Sequence, residues 1–270
     1  MDHLSKLENL KIKIELKERL LVAYSGGVDS SLLAKIATDI LEMNAICIIL
    51  DCETMPIREL IQAVEQAKSL GLNYRIAKYS ILNNTEFVKN SATRCYICKK
   101  ELSAVLKGIA AECGISVIAD GVNLSDYNDY RPGIKASDEE AVWHPFVDSQ
   151  ISKEDIRKIS RGMELSFWNK PSSACLASRL PYGERITKER LKMVDDAEEL
   201  LKGLGLHQLR VRAHGGIARI EVLSEDLSMA LNKREEIVRG LKGVGFEYVT
   251  LDLMGFRSGS MNEVLWQSDR

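Results

Sequence analysis

Ser25-Gly26-Gly27-Val28-Asp29-Ser30-Ser31 concentrates more potential chemistry than any other stretch of this sequence. Two adjacent glycines permit positive φ and close backbone approach, and hydroxyls stand on both sides of them at Ser25 and Ser30. The heptad lies between the apolar run Leu20-Leu21-Val22-Ala23-Tyr24 and a helical pattern from Ser30 to Met43. Amides at the start of such a helix, together with its dipole, favour an anion at the turn. The sequence has no Gly-x-x-x-x-Gly-Lys-Ser/Thr, so it lacks the lysine that grips a γ-phosphate in a Walker-type loop. Pyrophosphate is then expected as a leaving group rather than a transferred group. The plainer alternative is a glycine-rich strand-to-helix turn in which Asp29 and Ser30 serve as caps.

Sulfur is the second chemical resource, with cysteines at positions 47, 52, 95, 98, 113 and 175. Cys95 and Cys98 stand three residues apart before Lys99 and Lys100 at a helix start, so both thiols face one way. Cys175 lies in a loop of small residues between Lys170 and Arg179, cations that favour a thiolate. Three thiolates could hold an iron–sulfur cluster with one iron open, or zinc with a fourth ligand such as His144 or water. The Cys-x-x-Cys spacing by itself also allows a redox pair, a zinc half-site or two incidental helix thiols. Cys47, in an apolar strand, and Cys113, at a helix end, read as packing residues, and Cys52 as structural. Arg210 and Arg212 alternate on a strand and share a face, an arrangement suited to a phosphate. Arg219 and Glu221 on the returning strand could instead join them in a salt-bridge ladder, and His214 at the turn is expected to be exposed.

These groups need a scaffold, and the apolar patterning supplies one. Ala45-Ile46-Cys47-Ile48-Ile49-Leu50 is a continuous run suited to a strand covered on both faces. Ile57 to Leu70 reads as helix, Tyr74 to Tyr79 as strand, Tyr96 to Cys113 as helix and Val117-Ile118-Ala119 as a short strand. This β-α alternation predicts an α/β fold with a doubly wound parallel sheet whose ligand lies outside the carboxyl ends of the strands, where the glycine turn falls. Asp120 to Glu140 shows no sustained periodicity and reads as an active-site loop. Ser152 and Asp155 form a variant capping box, and Asn169 to Gly183 is a further loop near which a domain boundary is expected. The division places a domain carrying the glycine turn at 1–183 and a smaller α+β domain at 184–270. The latter runs helix from the cap Thr187 (Lys188 to Leu204), hairpin turning at Gly215-Gly216, helix (Leu227 to Leu241), strand (Phe246 to Leu253).

Composition narrows the function classes. With 270 residues, 45% of them hydrophobic, the chain can bury a sizeable core. Lys and Arg number 37 against 39 Asp and Glu, a net charge of −2, so nucleic acid is not the expected partner. No uncharged apolar run at the N-terminus approaches a signal or membrane helix, which points to a cytoplasmic protein and to cysteines that are not disulfides.

The heptad resembles the PP-loop of the N-type ATP pyrophosphatases, which release AMP and pyrophosphate while activating a carboxylate or carbonyl oxygen. Three further segments extend the resemblance: Asp129-Tyr130-Arg131-Pro132-Gly133, Ala174-Cys175-Leu176-Ala177-Ser178-Arg179-Leu180-Pro181-Tyr182-Gly183 and Gly255-Phe256-Arg257-Ser258-Gly259. Together they resemble the LarE family of ATP-dependent sulfur transferases, nearly end to end. The resemblance implies adenylylation of the carboxylates of a pyridinium biscarboxylate mononucleotide, then sulfur insertion to form the nickel-pincer nucleotide used in lactate racemase maturation. By the same resemblance Ser25, Gly26, Gly27, Asp29 and Ser30 bind ATP, with Asp29 on Mg2+, and Ser178, Arg210 and Arg212 bind the substrate phosphate. It also implies a homo-oligomer supported by the C-terminal domain. Members with a lone cysteine at the position of Cys175 surrender its sulfur and keep dehydroalanine. Members with three cysteines, here Cys95, Cys98 and Cys175, hold a 4Fe-4S cluster whose open iron carries an extra sulfide drawn from a sulfide or cysteine-derived source. This chain has all three, so the cluster type is expected. The chief competitors are ammonia-using relatives such as GMP or NAD synthetase, which need no cysteine triad, and a PP-loop tRNA thiolase, which the near-neutral charge disfavours.

Overall fold

The computed structural model describes residues 2–128, 132–171, 175–257 and 259–262. The chain forms two compact units, Met1–Ile81 with Cys95–Ser173, and Leu82–Arg94 with Ala174–Arg270.

The first unit is built on four parallel strands, β1 (Leu20–Ala23), β2 (Ala45–Asp51), β3 (Tyr74–Lys78) and β4 (Ile118–Ala119), in the order β3-β2-β1-β4. Alternation sorts their side chains into two cores. Leu20, Val22, Cys47 and Ile49 pack with the helices His3–Glu15, Val28–Leu41 and Lys153–Gly162. Leu21, Ile46, Ile48 and Ile118 pack with Leu106 and Ala110 of the helix Arg94–Glu112. Helices therefore cover both faces, which is why β1 and β2 are unbroken apolar runs rather than alternating ones. The doubly wound parallel sheet expected from the sequence is the observed fold. The chain leaves β1 toward β2 on one side and returns to β4 on the other, so the crevice between the carboxyl ends of β1 and β4 is the topological switch point.

The segment 120–140 is more regular than its polar composition suggested. A 3-10 turn spans Leu124–Asn128 and a helix spans Pro132–Glu139, opening on a proline whose fixed φ and missing N–H suit a first helical position. The Asp129-Tyr130-Arg131 part of the family motif lies outside the described residues. Ser152 and Asp155 make the expected capping box.

The second unit carries the helix Lys188–Gly203, capped by Thr187, and strands β5 (Leu209–His214), β6 (Ile217–Val222) and β7 (Tyr248–Leu251). β5 and β6 form the hairpin, and β7 lies parallel to β6 on its far side. The single helix expected over 227–241 is two, Leu227–Asn232 and Arg234–Val244, separated at Lys233.

Candidate active site

The glycine turn leaves β1 and enters the helix Val28–Leu41 with Gly27 as its N-cap. Gly26 has φ +71°, and a Cβ there would lie 2.7 Å from Ala63 Cβ, so this position accepts only glycine without rebuilding the turn. Ser30 Oγ donates to Gly27 O (3.2 Å) and accepts from Ser25 N–H (3.2 Å), while Ser25 Oγ lies 3.0 Å from Ser30 Oγ. Both hydroxyls thus brace the turn and present the helix N-terminus to the crevice. Gly121, just past β4, closes the other wall: a Cβ there would sit 2.8 Å from Ser30 N.

Cations reach this turn from distant parts of the sequence. Lys153 Nζ donates to both Asp29 carboxylate oxygens at 2.6 Å, with the two side chains 33% and 28% exposed. Lys170 Nζ donates to Gly26 O at 3.2 Å and pairs with Glu59 at 3.0 Å. Neither role is visible in the sequence, where Lys153 is one cation on an amphipathic helix and Lys170 stands out only as a neighbour of Cys175.

Beyond β4 a bridge between Ala119 and Trp143 sets Asp120 beside His144. His144 Nδ1 lies 2.6 Å from Asp120 Oδ1 and Nε2 lies 3.1 Å from Asp138 Oδ1, while Lys99 Nζ donates to Asp120 Oδ2 at 2.9 Å. Burial opposes the Asp120 charge, but Lys99 and His144 outweigh it and hold its carboxyl at about 2. Burial likewise opposes the imidazolium, yet the two carboxylates raise the His144 pKa. With both ring nitrogens engaged, His144 is not placed as a fourth zinc ligand.

In the second unit, Ser178, Arg210 and Arg212 belong to one ionic network. Arg212 donates to Glu221 Oε2 (2.8 Å), Ser260 Oγ (2.9 Å) and Ser178 O (2.9 Å). Arg219 pairs with Glu221 at 3.1 Å, so the salt-bridge ladder that stood as the alternative to a phosphate site on these strands exists. It is buried rather than solvated, with Arg212 at 5% exposure and Glu221 at 0%. The Arg210 guanidinium lies 5.1 Å from the Phe256 ring centroid, and burial, followed by the charge of Arg179, lowers its pKa to about 10, still positive at neutral pH. Arg179 donates to Glu198 from Nε (2.8 Å) and Nη2 (3.0 Å), and from Nη1 to Ser178 Oγ (2.9 Å). Its charge is therefore paired with the buried Glu198 carboxylate. His214 is half-buried rather than exposed.

None of the six cysteines is in a disulfide. Cys95 (exposed) and Cys98 (half-buried) sit one turn apart at the start of the helix Arg94–Glu112, within the first unit, and Cys175 is an exposed residue of the second. Among the described residues no three His, Cys, Asp or Glu side chains gather as metal ligands. Cys47 is fully buried, and burial pushes its thiol up to about 12, as befits an inert packing residue. Cys113 is half-buried and accepts from Arg75 at 3.5 Å, and Cys52 Sγ lies 3.2 Å from Thr54 Oγ1.

The NAD synthase family profile matches residues 5–107, the stretch holding the glycine turn. The pyridinium-3,5-bisthiocarboxylic acid mononucleotide synthase of Lactiplantibacillus plantarum is 36% identical over 92% of this chain and 90% of its own. The chain belongs to the LarE family. An uncharacterized protein of Synechocystis sp. is 42% identical over 97% of this chain and 98% of its own. A glutamine-hydrolyzing GMP synthase chain of Thermoplasma volcanium is similar only in part, 27% identical over 47% of this chain and 41% of its own. Among the described residues no helix is long and apolar enough to cross a membrane.

Proposed function

We propose that the protein is an ATP-dependent sulfur transferase that converts the carboxylates of a pyridinium biscarboxylate mononucleotide into thiocarboxylates. The observation that carries this reading is the match to the Lactiplantibacillus synthase along 92% of the chain, supported by a glycine turn that opens a helix at the switch point of the sheet. A substrate carboxylate oxygen attacks the α-phosphorus of ATP, and the bond from that phosphorus to the bridging oxygen breaks, releasing pyrophosphate with the electron pair. Helix N-terminal amides after Gly27 receive that charge, braced by Ser25 and Ser30. Asp29, whose two oxygens already face one cation, is the oxygen donor for Mg2+, an ion that neutralises the departing pyrophosphate. The acyl carbon, now bearing AMP as leaving group, accepts sulfur.

In this reading Ser178, Arg210 and Arg212 hold the mononucleotide phosphate, and the PP-loop unit and the C-terminal unit divide ATP binding from substrate binding and homo-oligomer formation. Cys95, Cys98 and Cys175 are the ligands of a 4Fe-4S cluster. Their donor chemistry fits, since all three are outside disulfides and the first two share one face of a helical turn. When bound, the cluster supplies sulfide as the nucleophile, replenished from a sulfide or cysteine-derived source in the cytoplasm.

The test is direct. Anaerobically prepared protein given MgATP, the pyridinium biscarboxylate mononucleotide and sulfide should form AMP, pyrophosphate and thiocarboxylate product in step. Pyrophosphate release that ignores the mononucleotide, or product bearing nitrogen in place of sulfur, would refute the assignment.

A further inference from the structure

The helix Arg94–Glu112 changes unit between its first two residues: Arg94 belongs to the second unit, with Cys175, and Cys95 to the first. Arg94 is 4% exposed, and its Nη1 donates to Asn90 Oδ1 (2.5 Å) and Leu180 O (3.4 Å) while the guanidinium lies 4.5 Å from the Tyr182 ring centroid. Among the described residues no carboxylate pairs with this buried cation. We infer that Arg94 is a positioning residue for the metal centre: through it the segment that carries Cys95 and Cys98 is pinned to the loop that carries Cys175, so that three thiolates are set for one cluster. This role rests on the cluster reading of those cysteines.

The contacts form one connected set. Asn90 is fully buried at φ +56°, a left-handed conformation that asparagine tolerates, and its Nδ2 donates to Pro181 O (2.7 Å) and Leu180 O (3.4 Å). Backbone bonds from Gly183 N–H to Asn90 O (3.0 Å) and from Ile186 N–H to Val88 O (2.9 Å) join the same two stretches of chain. The start of the loop is held as firmly. Cys175 O accepts from Ser178 N–H (2.9 Å), Ser178 Oγ (2.7 Å) and Arg179 Nη1 (3.2 Å), which fixes the Cys175 backbone while the residue stays exposed. A planar guanidinium can serve two oxygen acceptors and stack on a ring at once, which an ammonium cannot. A charge buried without a counter-ion costs stability, so packing alone would favour an apolar residue here. Arg94 gives instead a fixed geometry to the cysteines that follow it and to the loop it holds.

A positioning role predicts a loss counted in ligands rather than in stability. Co2+ titrated anaerobically into metal-free protein reports bound thiolates through its charge-transfer absorbance, and wild type should show three. Arg94→Met should show only the two of Cys95 and Cys98, with about a ten- to hundredfold loss of Co2+ affinity, the range expected when the support of a metal ligand is removed. Iron and acid-labile sulfide retained after reconstitution should fall in step. Arg94→Lys keeps the charge but not the fork, and should resemble Arg94→Met. Asn90→Gly suits the left-handed backbone and removes the side-chain amide that Arg94 grips, so it should reproduce the loss even if the methionine variant folds poorly. MgATP affinity should stay within a few-fold in all three. Three thiolates on Co2+ at wild-type affinity in Arg94→Met and Asn90→Gly would overturn the inference, as would an equal loss of ATP affinity, the mark of general unfolding. Wild-type protein that binds Co2+ through fewer than three thiolates and takes up no iron would instead overturn the cluster reading beneath it.

Discussion

The glycine turn of the first unit and the arginine strand of the second are both assigned to phosphate, and they are made in opposite ways. The turn uses backbone: Gly26 at positive φ against Ala63, two serines bracing the loop, and helix amides as donors. Its charged groups, Asp29, Lys153 and Lys170, are partly exposed and paired with one another or with loop atoms. The arginine strand and the 3-10 turn Leu176–Arg179 use side chains held in a buried network, Arg179 with Glu198 and Arg212 with Glu221, each carboxylate nearly or wholly excluded from solvent. Charges that can change partners suit a site whose ligand arrives with a metal and departs as pyrophosphate. Charges locked by buried carboxylates suit a fixed phosphate that only positions a substrate.

Substitutions should expose that contrast, beginning with the strongest. Asp29→Ala removes the carboxylate we assign to Mg2+ from a partly exposed turn, so pyrophosphate release should fall by about a thousandfold or more while the melting temperature changes little. An unchanged release rate would break the assignment of the turn. In the second unit the effect should move from rate to stability. Glu198→Ala strands Arg179, buried to 2% exposure, and should cost about 3–5 kcal/mol in chemical denaturation. A loss below about 1 kcal/mol would show that the network is not pre-organised by its carboxylates.

Ligand affinities sharpen the comparison further. Arg210→Ala should weaken the mononucleotide about tenfold or more while ATP affinity stays within a few-fold, because the proposed charge-assisted contact is to the substrate phosphate. Equal losses for the two ligands would merge the two sites into one.

The smallest effect is expected from pH. Asp120, held at about 2 against an ordinary 3.8, contributes stability that is present above about pH 4 and lost as pH falls toward 2. His144, raised above 6.5, contributes stability that is complete below that value and lost as pH rises through its folded pKa. His144→Asn should therefore flatten the decline in melting temperature as pH rises above about 6.5, read by calorimetry. A decline as steep as wild type would assign it to other groups.

Legibility in the sequence followed the range of the interactions. The strands β1 and β2 and the glycine turn were readable because burial on both faces and positive φ leave local marks, as at Leu20–Ala23 and Gly26. The helix Pro132–Glu139 was not, since its charged surface masks the periodicity and only Pro132 marks its start. A ladder of Arg210, Arg212, Arg219 and Glu221 was visible because a hairpin brings them to one face, with Arg210 opposite Glu221 and Arg212 opposite Arg219, but the diagonal Arg212–Glu221 pair and its burial were not, since they depend on Ser260 and elements remote in sequence. Lys153 on Asp29 and His144 between Asp120 and Asp138 were invisible for the same reason: no local pattern records a contact across 124 residues or one made through a single strand bridge.

In the proposed reaction ATP activates the substrate at the turn while sulfur comes from a renewable store on Cys95, Cys98 and Cys175. Its most direct test counts sulfur atoms transferred per chain by anaerobically prepared protein supplied with sulfide, and then weighs the peptide containing Cys175. Several transfers per chain and an unchanged Cys175 mass are expected, with loss of iron and acid-labile sulfide in each of Cys95→Ser, Cys98→Ser and Cys175→Ser. One transfer per chain, with Cys175 lighter by the elements of hydrogen sulfide, would contradict the claim and make that cysteine the consumed donor.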